Sequence, residues 1–240
     1  MPPIAMSLSS KGLHLLKEFE KLGPNVRNNL IYAYICTAGE LTIGWGHVIG
    51  AADVGRYFPG LTVAQAKAVC RKGGAAFFAA SKPLSMAEAD ALLAKDIKRF
   101  VDAVNRRLLA WKVSVDQNFF DALVSLAYNA GEGSLDGTIK TRLIAGDIDG
   151  AILWLPMFCL TDVEKGGKII RNAPVTGLTL RRFSEVWLAL TGEVWRVGPT
   201  KASQRADLDK FAEGVRQRMA AKGKRSPLPY PRNRLENQVA

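Results

Sequence analysis

The stretch Tyr34-Ile35-Cys36-Thr37-Ala38-Gly39-Glu40-Leu41-Thr42-Ile43-Gly44-Trp45-Gly46-His47 decides how this chain is read. β-prone residues alternate with glycines at 39, 44 and 46, so the segment Tyr32 to Val48 reads as a small hairpin or sheet. Successive strand side chains point to opposite faces, which places Glu40 and Thr42 on the same one. A thiol, a carboxylate, a hydroxyl and an imidazole therefore fall within one short turn-rich unit.

Upstream, Ser9 or Ser10 can cap a helix from Lys11 to about Lys21, with Leu13, Leu16 and Phe19 near helical spacing. A polar, turn-rich stretch, Gly23 to Asn29, joins that helix to the hairpin. Downstream the periodicity becomes helical, over Thr62 to Arg71, Ser85 to Leu109 and Val115 to Asn129. Shorter helices are expected over Thr138 to Gly146, Ile148 to Leu155 and Leu180 to Leu190. Thr161 to Thr176 is polar and glycine-bearing and reads as a loop. Trp111, Trp154, Trp187 and Trp195 fall at helical spacing and read as core residues.

The 240 residues suffice for one domain with a sizeable core, or for two small lobes. Residues 1–192 are expected to form the principal domain. Residues 193–240 form a basic extension, in which Ala202 to Ala221 can be a helix striped with Leu208, Phe211, Val215 and Met219. Pro227, Pro229 and Pro231 then end it in a frayed tail. The net charge of +11 favours polyanionic partners, but interleaved acids describe a solvated surface and no motif for a specific nucleic-acid target accompanies it. Cys36, Cys70 and Cys159 are an odd set without close pairing, which argues against a disulfide framework. His14 and His47, the two histidines, build no zinc spacing, and no metal site is expected. Neither a signal peptide nor a membrane span is legible, so the chain is expected to be made in the cytoplasm.

Glycosidic cleavage needs an acid to protonate the leaving oxygen and a second group that attacks or activates water. Glu20 ends an amphipathic helix beside Phe19 and Leu22, ahead of the glycine-rich hairpin, and is preferred over Glu18 as that acid.

The hairpin run resembles the signature of phage-type lysozymes, glycoside hydrolase family 24. There a helix-borne Glu is followed by an Asp, or in some members a Cys, and then by a Thr in a T-I-G-x-G-H sequence. The matching positions are Glu20, Cys36 and Thr42. Phe119-Phe120-Asp121-Ala122-Leu123-Val124-Ser125-Leu126-Ala127-Tyr128-Asn129-Ala130-Gly131 looks like the family's central helix. Gly177-Leu178-Thr179-Leu180-Arg181-Arg182-Phe183-Ser184-Glu185 resembles its G-L-x-x-R-R-x-x-E motif. This chain departs from the family in a longer interval, Lys21 to Ile35, before the second position.

The resemblance implies an α+β, lysozyme-like, mostly helical fold, with a small hairpin-bearing N-terminal lobe, a helical C-terminal lobe and a cleft between them. It implies a muramidase that cleaves the β-1,4 bond between N-acetylmuramic acid and N-acetylglucosamine, needs no cofactor and works as a monomer. The substrate is the glycan strand of peptidoglycan, reached in the periplasm after release from the host, as a phage endolysin would be. The endolysin role leads because no signal peptide is legible; an effector delivered into rival bacteria would read the same, and an inactive glycan-binding relative is the alternative from another class. A thiol with an ordinary pKa near ~8.5 is mostly protonated at neutral pH. Cys36 therefore acts as a thiolate on water or sugar, or yields that task to Thr42 with Glu40, or is a small buried residue. Tyr34, Tyr128 and Asn129 are candidates for sugar contact. Arg181 or Arg182 is expected to face the cleft and pair with Glu20. His47 is expected to form an ion pair with Asp96 that raises its pKa. The basic tail is a candidate for attachment to the anionic bacterial envelope.

Overall fold

Ser9 starts the first helix: its hydroxyl accepts from the N–H groups of Lys11 and Gly12 at 3.2 and 3.3 Å. In this computed structural model the described residues are 4–20, 22–36, 38–165, 168–174 and 176–195, with single positions between 203 and 221. For 160–176 only the backbone path is described. The chain divides into two compact units, Phe19–Arg99 and Met1–Glu18 with Phe100–Ala240.

Helix α1 (Ser10–Glu20) is followed by short strands β1 (Val26–Arg27) and β2 (Leu30–Ile31). The segment Gly23 to Asn29, expected to be a plain loop, thus holds a tight hairpin. Asn28 and Asn29 take φ of 51° and 60°, the left-handed pair that suits the right-handed twist of a two-residue turn. Strands β3 (Tyr34–Ile35), β4 (Leu41–Ile43) and β5 (His47–Val48) then form an antiparallel sheet in that order. Helices α2 (Val54–Tyr57), α3 (Val63–Lys72) and α4 (Gly74–Ala80) complete the hairpin-bearing unit with the first part of α5 (Met86–Trp111). Thr62 and Gln65 close a reciprocal capping box on α3. Ile31, Leu41, Ile43, Tyr57, Phe58, Phe77 and Leu84 make the core beneath the sheet.

In the other unit, α6 (Gln117–Ala130) is buried at every position from Phe119 to Ala127. A helix apolar nearly all round belongs at the centre of its unit. It packs against α9 (Thr176–Thr191), while α7 (Thr138–Ile144) and α8 (Ile148–Ile152) pack on one another and α8 also meets α9. The expected loop Thr161 to Thr176 is instead largely an antiparallel hairpin of β6 (Leu160–Lys165) and β7 (Lys168–Pro174), with Lys165 opposite Lys168. Its few apolar residues hide the strand period, whereas cross-strand backbone bonds stabilise it regardless. Trp111, Trp154, Trp187 and Trp195 are half-buried rather than core. Trp187 and Trp195 meet edge to face at 4.8 Å, since an indole gains most with one side packed. Ser203, Ala206, Lys210, Glu213, Gly214, Gln217, Ala220 and Ala221 are helical. A Cβ on Gly214 would fall 2.6 Å from the Trp187 ring, so the extension lies against α9 there. The stripe of Leu208, Phe211, Val215 and Met219 and the proline tail lie outside the described residues. No described helix is long and apolar enough to cross a membrane.

Candidate active site

The turn between β3 and β4 carries the candidate residues Cys36 and Glu40 of the hairpin-bearing unit. Cys36 N–H donates to the Glu40 carbonyl at 2.9 Å, and Gly39 N–H donates to the Cys36 carbonyl at 2.8 Å. Gly39 takes φ +77° at the end of this turn, a backbone region that L side chains rarely adopt. Tyr34 sits opposite Thr42 and Ile35 opposite Leu41. Strand alternation therefore gathers Tyr34, Cys36, Glu40 and Thr42 on one face and turns Ile35, Leu41 and Ile43 toward the core.

Glu20, half-buried at the end of α1, reaches the turn between β4 and β5. A Cβ on Gly46, whose φ is +95°, would lie 3.3 Å from Glu20 Oε2. Glycine there leaves space for the carboxylate. Glu18, the other acid of that helix end, is held by His14 at 3.1 Å one turn back. Gly23 leaves room for the Tyr34 ring, which a Cβ would overlap. Burial pushes the Tyr34 hydroxyl above its ordinary pKa, and charge on Cys36 and Glu20 adds to that.

Two opposing influences act on Cys36. Desolvation raises its pKa, but hydrogen bonds from the Thr42 hydroxyl and at the Glu40 and Ala38 backbone bring the thiol below its ordinary value, against the charge of Glu40. Thr42 is only 2% exposed, and its hydroxyl donates to the Glu40 carbonyl at 3.2 Å. One hydroxyl proton serves one acceptor at a time. A proton aimed at sulfur favours the thiolate, which is why Thr42 lowers the Cys36 pKa.

The side chains around this face are fixed by longer-range contacts. Lys67 Nζ on α3 stands 2.9 Å from Glu40 Oε2. His47 Nδ1 is 2.8 Å from Asp96 and its Nε2 is 2.7 Å from Asp53. The Asp96 hydrogen bond raises the imidazole pKa most, burial lowers it, and Asp53 raises it further. Trp45 Nε1–H donates to Asp90 at 2.8 Å. Lys67, Asp53 and Asp90 were absent from the sequence reading, and Gly46 entered it only as a turn glycine. Gly46 alone had a signal, as the glycine beside His47; the others lie on separate elements with no shared period. Among the described residues, no group of three or more His, Cys, Asp or Glu side chains can hold a metal ion.

In the helical unit, Tyr128 is half-buried, edge to face with Phe100 at 5.2 Å, while Asn129 is exposed. The Arg181 guanidinium is 6.0 Å from the Tyr128 centroid, and its Nη2 is 3.4 Å from the Ser125 carbonyl. Glu185 Oε1 accepts from Ser125 Oγ and from Arg182 Nη2, both at 2.6 Å. Burial pushes the Glu185 carboxyl up and the Arg182 guanidinium down, and their contact offsets part of that cost. The R-R-x-x-E motif is thus in large part an interior ion cluster.

A helix-end carboxylate over the glycine turn of a three-stranded sheet, with a separate helical unit, defines a lysozyme-like protein. Solved structures with the same architecture include the endolysin from Escherichia coli O157:H7 phage FAHEc1, 29% identical, covering 80% of this chain and 99% of that one, TM-score 0.54. The muramidase domain of SpmX from Asticaccaulis excentricus is 25% identical, covering 77% and 98%, TM-score 0.51. A P22 lysozyme mutant shares the fold, at 24% identity over 78% and 99% with TM-score 0.51. The family model described as phage lysozyme matches residues 30–185, and the chain belongs to that family. The endolysin of Bacillus phage B103 is 33% identical over 193 residues, 78% of this chain and 56% of that protein. For the endolysin of Bacillus phage PZA the figures are 34%, 188 residues, 78% and 56%. The chain thus spans little more than half the length of these two relatives. The endolysin of Acyrthosiphon pisum secondary endosymbiont phage 1 is 28% identical, covering 75% of this chain and 95% of its own.

Proposed function

We propose that the chain is a muramidase that hydrolyses the β-1,4 bond between N-acetylmuramic acid and N-acetylglucosamine in peptidoglycan. The observation that carries this reading is the placement of Glu20 Oε2 over Gly46, beside a sheet face that presents Tyr34, Cys36 and Thr42. Glu20 gives its proton to the glycosidic oxygen as the bond to the anomeric carbon breaks. The Cys36 thiolate, stabilised by Thr42, either takes a proton from an attacking water or attacks the anomeric carbon itself. In the second case water later releases the sugar, with Glu20 taking that proton. Tyr34, Tyr128 and Asn129 are proposed to contact the glycan, and Arg181 to orient Tyr128 by its contact with that ring. The enzyme is proposed to act as a monomer on peptidoglycan in the periplasm. Cations of the 193–240 extension are proposed to draw it to the anionic bacterial envelope.

The decisive test is Glu20→Gln, assayed by turbidity loss of purified peptidoglycan. Loss of a general acid lowers rates by roughly 10²–10⁴-fold. A folded variant that keeps half the parental activity refutes the assignment.

A further inference from the structure

Glu40 is a burden on the proposed site. It lies directly across the turn from Cys36, joined to it by the 2.9 Å backbone bond, and its carboxylate opposes ionisation of the thiol. A free carboxylate there would favour the neutral sulfur and weaken either role of the thiolate. Yet the carboxylate is not left free. Lys67 projects from α3, a helix fixed by its capping box, and its ammonium meets Glu40 Oε2 at 2.9 Å. The lysine is the less exposed partner, with 20% of its side chain accessible against 49% for Glu40.

We propose that Lys67 is a positioning residue for Cys36: by holding Glu40 it keeps that carboxylate's charge from the thiol and fixes the turn that aims the sulfur. The inference rests on the muramidase reading for its catalytic meaning, but its physical content is a statement about the thiol alone. The other groups facing Cys36 are accounted for. Thr42 on β4 is a neutral donor, and Tyr34 on β3 is held in its neutral form. Glu20 at the end of α1 adds its charge at the Tyr34 hydroxyl, whereas Glu40 is the carboxylate whose charge opposes ionisation of the thiol, and Lys67 is paired with Glu40. Cys70, also on α3, has its thiol pushed up by burial and adds no charge. An ammonium from a separate helix thus bears on the second catalytic position without touching substrate.

The test measures iodoacetamide alkylation of the intact 240-residue chain against pH, with the Cys36 peptide resolved from those of Cys70 and Cys159 by mass spectrometry. Lys67→Met should raise the alkylation midpoint of Cys36 by about 0.3–0.6 pH unit at low ionic strength. The shift should shrink near ~1 M salt, because the pair is partly exposed and screening there is strong. Glu40→Gln should lower the midpoint, and Lys67→Met added to Glu40→Gln should shift it by less than half as much. Lys67→Arg should restore the parental curve. An unchanged midpoint in Lys67→Met, or an equal shift with and without Glu40, overturns the proposal. A fully active Cys36→Ala variant would overturn the catalytic role of the thiol, while the alkylation midpoints would still decide the part played by Lys67.

Discussion

Replacing Gly46 by alanine isolates the contact between the hairpin and the proposed acid. Two costs arise, and they separate. The first is backbone strain: Gly46 has φ +95°, and an L residue in left-handed conformations costs about 1–2 kcal/mol. For a protein of this size each kcal/mol lowers Tm by roughly 2–4 °C, so a loss of about 2–8 °C is expected. The second cost is local. The new methyl would sit 3.3 Å from Glu20 Oε2, tighter than ordinary van der Waals contact, so the carboxylate must give by a few tenths of an ångström. Misplacing a catalytic group by ~1 Å can cost about 10²-fold, so a shift of tenths should cost several-fold to about tenfold. Gly60→Ala is the control, because Gly60 has φ +77° and nothing within 4 Å of its added Cβ. Both variants should melt earlier, by similar amounts in thermal circular dichroism. Only Gly46→Ala should lose initial rate in the turbidity assay at temperatures where both are folded. Parental activity in Gly46→Ala, or an equal loss in Gly60→Ala, would refute the reasoning.

Three further outcomes are expected. Cys36→Asp should stay active and Cys36→Ala should lose most activity; in the parent, activity should rise with pH through a midpoint below that of an ordinary thiol, and a glycosyl-thioether adduct in mass spectra would identify attack by sulfur. An alanine variant as active as the parent would move the role to Thr42 and Glu40. His47 has its folded pKa raised, so its ion pairs stabilise the fold fully below the unfolded imidazole pKa of about 6.5 and lose that effect as pH rises through the folded value. His47→Gln should therefore cost about 1–3 kcal/mol in acid and less in alkali; a deficit independent of pH in melts from pH ~5 to ~9 would sink this. Deleting residues 200–240, which from Lys201 onward hold ten cations and four acids, should leave cleavage of short soluble glycans intact while binding to sacculi becomes weaker and less salt-sensitive. If deletion unfolds the protein instead, the contact of Gly214 with Trp187 is structural and the envelope role fails.

The hairpin was legible because alternation and glycine spacing are local properties of a strand and its turns, and the same holds for the cap at Ser9. The proposed acid was legible as a helix-ending Glu ahead of that hairpin, preferred over Glu18 for its neighbours Phe19 and Leu22, and the fold adds that His14 holds Glu18. The pair of His47 and Asp96 was named only through the family pattern. Its second acceptor, Asp53, depends on how the chain turns after β5. Likewise Lys67 meets Glu40 from 27 positions away, and Gly46 meets Glu20 only once helix and sheet have packed. Strand period, glycine punctuation and helix capping are fixed by neighbours in the chain, so the sequence by itself determined the principal helices, the glycine-rich sheet and their order, but not the β1–β2 and β6–β7 hairpins, whose residues carry no apolar alternation. Which charges neutralise one another, and whether a thiol ionises, depend on distances set by packing, and only the tertiary structure decided those.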